Sequence, residues 1–316
     1  MAAKIKIGIS TCLLGEKVRW DGGHKHDRYI TDILGKYFEF VPVCPEVDIG
    51  MGVPRESVRL VGTPENPRMV GLKSGKDWTD KMLKYSRNRI RKLQKLNLSG
   101  YILKKDSPSC GMERVRVYYK DNMHVKQGRG FFGGALLDSF PLLPIEEEGR
   151  LNDNALRENF IVRVFAHERL KKLFAGKFNR GEIVKFHSEH KYLLLAHSQK
   201  DYRELGNLVG NIKRYKPDNF IEKYSELFMT ALSHPTTIKN NINVLQHIFG
   251  YLKNALSKPA KDDILRVLEN YRTGLIPLIV PVTLIKHYVD LHNIEYIKDQ
   301  VYLNPHPEEL MLRNHV

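Results

Sequence analysis

Hydrophobic positions fall into two regimes along the chain. In the first they come in short runs. Ile5–Ser10, Phe38–Val43 and Tyr101–Lys104 are apolar or alternating stretches rich in β-branched and aromatic residues, each stopped by a turn. These read as strands. Between them, His26–Leu34 has a helical pattern that ends at Gly35. Trp78–Asn97 has another, with Asp77 as cap and Leu83, Ile90 and Leu93 as its inward stripe. Val115–Tyr119 and Gly130–Leu137 add one strand and one helix. Alternating strands and helices predict an α/β domain, a Rossmann-like parallel sheet with right-handed crossovers. Val47–Gly71 is rich in Gly and Pro and shows no sustained period, so it reads as an irregular excursion near the site.

Beyond Asn154 the period becomes helical. Segments run over Ala155–Ala175, Glu182–His197, Asp201–Tyr215, Asn219–Leu232, Thr236–Leu256, Lys261–Tyr271 and Pro281–His292, separated by Gly and Pro breakers. An all-α helical domain follows. The shift lies in Pro141–Asp153, where Pro-Leu-Leu-Pro precedes Glu146, Glu147 and Glu148. The expected domains are 1–148 and 149–316.

The chain has 316 residues, enough for two cores, with ordinary hydrophobic (42%) and charged (28%) fractions. Its apolar runs, such as Gly274–Val282, are too short to span a bilayer, and Met1–Ser10 does not read as a signal peptide. A cytoplasmic protein without membrane segments is expected. The net charge of +15 is shared by both halves. It suits a polyanionic partner, RNA or DNA, as well as an ordinary basic soluble protein. Lys81, Lys84, Arg87, Arg89, Arg91, Lys92 and Lys95 crowd one predicted helix with no acid among them. They form an RNA track if that helix lies beside the site, and otherwise a solvated face.

The chain has three cysteines, Cys12, Cys44 and Cys110, each just past a predicted strand. If the strands are parallel neighbours, the thiols meet at the carboxyl edge where open α/β sheets bind ligands. Three widely spaced cysteines are neither a disulfide framework nor a local zinc finger. Zinc, copper(I), an iron–sulfur cluster and buried packing stay open. A 4Fe–4S cluster usually takes four thiolates, so three would leave one iron open as a Lewis acid. Glu46, two residues past Cys44, is placed to activate water or simply to cap a helix. Ser107, three before Cys110, can bond a substrate or its own backbone. Lys104 and Asp106 raise the same choice. His187, His190 and His197 fall on one side of one predicted helix, as metal ligands, core residues or RNA-facing groups.

Four stretches together resemble the thiouracil desulfidase family across the first domain. They are Ile9-Ser10-Thr11-Cys12-Leu13-Leu14-Gly15, Val18-Arg19-Trp20-Asp21-Gly22-Gly23, Cys44-Pro45-Glu46 and Lys104-Lys105-Asp106-Ser107-Pro108-Ser109-Cys110-Gly111. Phe186–Ser198, Asn243–His247 with Gly250-Tyr251, and Pro277–Pro281 are similar to the YbgA-type domain. Desulfidases with this second domain resemble enzymes that act on 4-thiouridine in tRNA. The resemblance implies a 4Fe–4S cluster on Cys12, Cys44 and Cys110, whose fourth iron captures the thiocarbonyl sulfur. It implies acid–base work by Glu46 and substrate stabilisation by Ser107. The implied reaction is a non-redox hydrolysis that gives uridine and sulfide. The basic helix (Lys81, Lys84, Arg87, Arg91, Lys92, Lys95) and the helical domain would hold the tRNA. Thr11 stands where alanine is common and Trp20 where tyrosine is common; neither affects ligation. A desulfidase of free thiouracil and a non-catalytic iron–sulfur RNA-binding protein are the alternatives.

Overall fold

The computed structural model describes residues 4–119 and 122–315. The chain divides into two compact units between Asn152 and Asp153. The first unit runs β1 (Ile5–Ser10), β2 (Phe38–Val43), α1 (Pro45–Asp48), β3 (Val58–Thr63), β4 (Asn66–Gly71), α2 (Thr79–Gln94), β5 (Gly100–Leu103), β6 (Val115–Tyr118), β7 (His124–Gly128), α3 (Phe131–Ser139) and β8 (Ile145–Glu147).

The expected parallel sheet is present, in the order β2-β1-β5-β8, with every pair parallel. Ser10 lies opposite Val43, and Ile9 opposite Ile102. The carboxyl ends of β2, β1 and β5 therefore finish nearly level. Tyr101, Ile102 and Leu103 are fully buried, as befits a strand covered on both faces. Gly8 makes this close packing possible, since a Cβ there would sit 2.1 Å from the Tyr101 ring.

In this unit four expectations need correction. The excursion over Val47–Gly71 holds the hairpin β3–β4, part of a second sheet ordered β4-β3-β6-β7. Only Leu60, Met69, Val115 and Val117 on its inner face are deeply buried, against Trp78 and Met82. So few alternating positions, interrupted by Gly62 and Pro67, leave little periodic signal. The junction segment Pro141–Asp153 contains β8, an edge strand of the first sheet whose three residues are all buried. Its acids are satisfied inside: Arg150 Nε donates to Glu146 at 2.6 Å and the Met112 N–H to Glu147 at 2.8 Å. Hydropathy cannot show that. The inward row of α2 is Met82, Ser86, Ile90 and Leu93, with Leu83 only half-buried. His26–Leu34 is no regular helix: a single π turn over Tyr29–Ile33 passes into a 3-10 turn over Leu34–Lys36.

The second unit is helical, with no strand among its described residues. It comprises α4 (Asn154–Phe174), α5 (Arg180–Glu189), α6 (Lys191–His197), α7 (Gln199–Gly210), α8 (Pro217–Ser233), α9 (Ile238–Leu252), α10 (Lys258–Arg272), α11 (Ile279–Leu291) and α12 (Glu295–Lys298). Phe220, Tyr224 and Phe228 line the buried face of α8, and Tyr224 and Phe228 meet Phe186 of α5. The helix expected over Glu182–His197 breaks at His190. No helix of the described residues is long and apolar enough to cross a membrane.

Candidate active site

Each cysteine is held by the element that follows its strand. Cys12 sits in a 3-10 turn after β1, closed by Gly15 at φ 93°, and its carbonyl accepts the N–H of Lys25 at 2.9 Å. Cys44 occupies the cap position of α1, with Pro45 as the first helical residue. Cys110 lies in a turn seated on the start of α3. That helix has no capping side chain. Its first N–H groups instead donate to the turn: Phe131 to Pro108 at 3.1 Å, Phe132 and Gly133 to Ser109 at 2.9 and 3.0 Å. The helix start and the cysteine turn thus satisfy each other.

The three thiols line one cavity of about 520 Å³ at the carboxyl edge of the parallel sheet. They are unpaired with one another. Burial raises all three pKa values. Cys12 reaches about 11, with the neighbouring Cys44 adding to the shift. Cys44 and Cys110 rise chiefly by burial as well. A metal group must therefore draw off their protons to bind.

Glu46 and Ser107 line the same cavity. One Glu46 oxygen receives Arg55 Nε at 3.0 Å and Nη2 at 2.5 Å; the other accepts the Ser109 hydroxyl at 2.5 Å. Arg55 is itself fixed by donating Nη1 to the carbonyls of Val18 and Gly52, both at 3.0 Å. Ser107 Oγ accepts the N–H groups of Cys110 and Ser109 at 3.1 and 3.3 Å and lies 3.0 Å from Ser109 Oγ. Because Ser109 gives its proton to Glu46, the Ser107 proton points to Ser109. A hydrogen-bonded row Ser107–Ser109–Glu46–Arg55 results. Ser109 and Arg55 carry no prominence in the sequence reading. Their signals were adjacency to Cys110 and a place in the supposedly irregular excursion.

Lys104 and Asp106 also line the cavity, but Lys104 is paired with Glu148 at 2.5 Å. Lys81, Lys84, Arg87, Arg91, Lys92 and Lys95 are exposed on α2, and none lines the cavity. The histidines do not share one helix face: His187 is on α5, His190 at the break and His197 at the end of α6. His190 Nδ1 bonds the Phe186 carbonyl at 2.7 Å and His197 Nδ1 the His234 carbonyl at 2.6 Å. Among the described residues no three His, Cys, Asp or Glu side chains are gathered tightly enough to hold a metal ion. The cysteines accordingly ring a volume instead of converging on a point.

Residues 7–148 match the family model of 2-thiouracil desulfurase, and residues 191–307 a family described as a protein of unknown function, DUF1722. The uncharacterized protein YbgA of Escherichia coli (strain K12) is 30% identical over 165 residues, which are 52% of this chain and 98% of that one. The chain belongs to the YbgA family, joined to a 2-thiouracil desulfurase domain. The uncharacterized protein YbbK of Bacillus subtilis (strain 168) is 30% identical over 108 residues, 33% of this chain and 71% of YbbK. A solved structure described as the [4Fe-4S]-dependent thiouracil desulfidase TudS is 28% identical, covering 49% of this chain and 98% of its own, with a TM-score of 0.39.

Proposed function

We propose that the first unit replaces the sulfur of a thiolated uracil base by oxygen, and that the base is 4-thiouridine in tRNA. The observation that carries this reading is the ring of Cys12, Cys44 and Cys110 about one cavity, with Glu46 fixed on its wall. Both Glu46 oxygens are engaged, so Glu46 is not a free ligand, and the three cysteine sulfurs are the soft donors the cavity offers. Thiols that surround a volume fit a 4Fe–4S cluster better than a single hard cation. Bound there, the cluster supplies an iron without a protein ligand, a Lewis acid for a soft thiocarbonyl sulfur.

The chain's own groups handle the proton and the water. Arg55 holds the Glu46 carboxylate in place as it takes a proton from water attacking the base carbon. Ser109 and Ser107 provide a row of hydroxyls along which that proton can be returned. Ser107, at the half-buried end of the row, lines the cavity and steadies the developing charge once its proton turns from Ser109 to the substrate. The thiocarbonyl compound and water become the carbonyl compound and hydrogen sulfide, with no change in oxidation state.

The charge of +15 supports RNA as the substrate, and α2 with the YbgA-like unit as the surfaces that hold it. The family description favours a second reading, a free thiolated base as substrate. Free thiols and an iron–sulfur group suit a reducing, cytoplasmic setting. The test is anaerobic loading with iron and sulfide, then incubation with thiolated tRNA and with free 4-thiouracil. Nucleoside analysis should show 4-thiouridine lost from tRNA. Turnover of the free base alone would move the substrate to the second reading, and failure to form a cluster would overturn both.

A further inference from the structure

The YbgA-like unit encloses a cavity of about 130 Å³, lined only by its own residues. A cavity of about 150 Å³ takes in one benzene ring, so this one has room for a single six-membered ring. Part of its wall is apolar: Val162, Leu193 and Leu278 are buried there. The polar part comes from places far apart in the chain: Asn159 of α4, His197 at the end of α6, Tyr271 of α10, and Arg313 beyond α12. Their hydrogen bonds leave a defined set of atoms uncommitted. Asn159 Nδ2 donates to the Leu232 and His234 carbonyls at 2.9 and 3.5 Å, which leaves Oδ1 as an acceptor. His197 Nδ1 donates to the His234 carbonyl at 2.6 Å, so Nε2 carries a lone pair. Burial keeps this ring neutral, with its pKa pushed down to about 4. Tyr302 donates to Asn241 Oδ1 at 3.0 Å, and Asn241 Nδ2 donates to the Tyr271 hydroxyl at 3.2 Å. The Tyr271 proton is therefore free to be given away. Arg313 donates Nε to Glu158 at 3.2 Å and Nη1 to the Tyr302 carbonyl at 2.8 Å, which leaves Nη2. Asn159 Oδ1, His197 Nε2 and Arg313 Nη2 have no partner among the described residues, and all three keep some accessible surface. The Arg313 charge is matched by Glu158, and no other arginine or lysine lines the cavity.

We infer that this cavity binds a small uncharged ring with a lactam edge, an N–H beside a C=O. The N–H meets the acceptors Asn159 Oδ1 and His197 Nε2, and the C=O accepts from Tyr271 or Arg313. The apolar wall takes the faces of the ring. Uncommitted polar atoms in so buried a wall are costly unless partnered, and a lactam partners donors and acceptors at once. An anion would answer only the donors and would face Glu158. The site lies apart from the three cysteines and does not depend on the desulfidase reading.

The test is a nuclear magnetic resonance titration of the methyl-labelled full chain with 2-pyridone, uridine, pyridine and nicotinate. Methyl signals of Val162, Leu193, Ile276 and Leu278 report on this cavity, and those of Val18, Val43 and Val58 on the cysteine cavity. 2-Pyridone should shift the first set and bind about tenfold tighter than pyridine, which lacks both the N–H and the C=O. Nicotinate, the anion, should bind no better than pyridine. Uridine carries the lactam edge on a ribose: shifts of the first set by uridine assign the site to a nucleoside ring, and a response to 2-pyridone alone assigns it to a free ring. Tyr271→Phe removes a donor and should bring 2-pyridone down towards the affinity of pyridine. Ile276→Trp, at a half-buried position of the wall, should abolish binding of every probe while leaving the polar atoms in place, and it keeps a folded protein in the comparison if Tyr271→Phe does not fold. A first set unmoved at about 10 mM 2-pyridone would mean that the cavity holds only water. That result, shifts confined to the second set, tightest binding by nicotinate, or a lactam preference that survives Tyr271→Phe would each overturn the site.

Discussion

At the residue scale, function rests on how Glu46 is held. A carboxylate beside three thiols would gain little from its position alone. Arg55 and Ser109 fix both of its oxygens. Changing Ser109→Ala removes the donor to Glu46 and the acceptor of the Ser107 proton. The expected outcome is a fall in kcat of about 10²-fold with iron content unchanged, measured on cluster-loaded protein. Arg55→Ala acts differently. It leaves a largely buried carboxylate unpaired (Glu46 side chain 14% exposed) and two carbonyls without their donor. A stability loss of about 3 kcal/mol is expected in denaturant titrations. Removing the charge in Glu46→Gln/Arg55→Ala should restore part of it.

At the scale of elements, the site depends on contacts that no single motif contains. The Cys110 turn is the cap of α3, and this works only because glycines stand at 130 and 133, where the turn backbone comes closest. A Cβ at Gly133 would lie 2.4 Å from the Cys110 carbonyl oxygen and 2.7 Å from that of Gly111. Gly133→Ala must push the turn off the helix. It should lower iron uptake during reconstitution, read by absorption and iron analysis, while the helical circular dichroism of the chain changes little. The second sheet matters in the same way. Its inner face completes a core with Trp78 and Met82, and its outer face gives the cavity Arg59 and Arg116.

At the scale of the molecule, the two units respond to different chemistry. The first keeps its titratable interest at the cavity. The second buries neutral histidines: His187 and His197 are pushed down to about 4 and His190 to about 3, all chiefly by burial. His306, buried near Arg313 and Arg169, is also lowered to about 4. An unfolded chain protonates these rings near pH 6.5, and the folded one refuses the protons until about pH 4. Stability is therefore full above pH 6.5 and is lost as the pH falls from 6.5 through about 4. Each ring contributes up to about 1.4 kcal/mol per pH unit. Urea midpoints followed by helical circular dichroism should drop between pH 7 and pH 5; an unchanged midpoint would contradict the buried, neutral state of these rings.

By itself the sequence determined the parts that depend on local period and chain stops. Short apolar runs ending in Cys, Pro and Gly place Cys12, Cys44 and Cys110 at strand ends, and the alternation of strands with helices makes that sheet parallel. The later helical period marks the all-α unit. Tertiary structure alone decided what fills the space around the thiols. Arg55 and Arg59 lie in a stretch whose pairing partners are distant or few, so its period is too short to read. The burial of Glu146 and Glu147 in β8 rests on bonds to Arg150 and Met112 that no hydropathy pattern carries. Ser109 reaches Glu46 across 63 residues of chain. Such long-range pairings are set by how strands and turns stack, and a linear pattern records only which residues are available to make them.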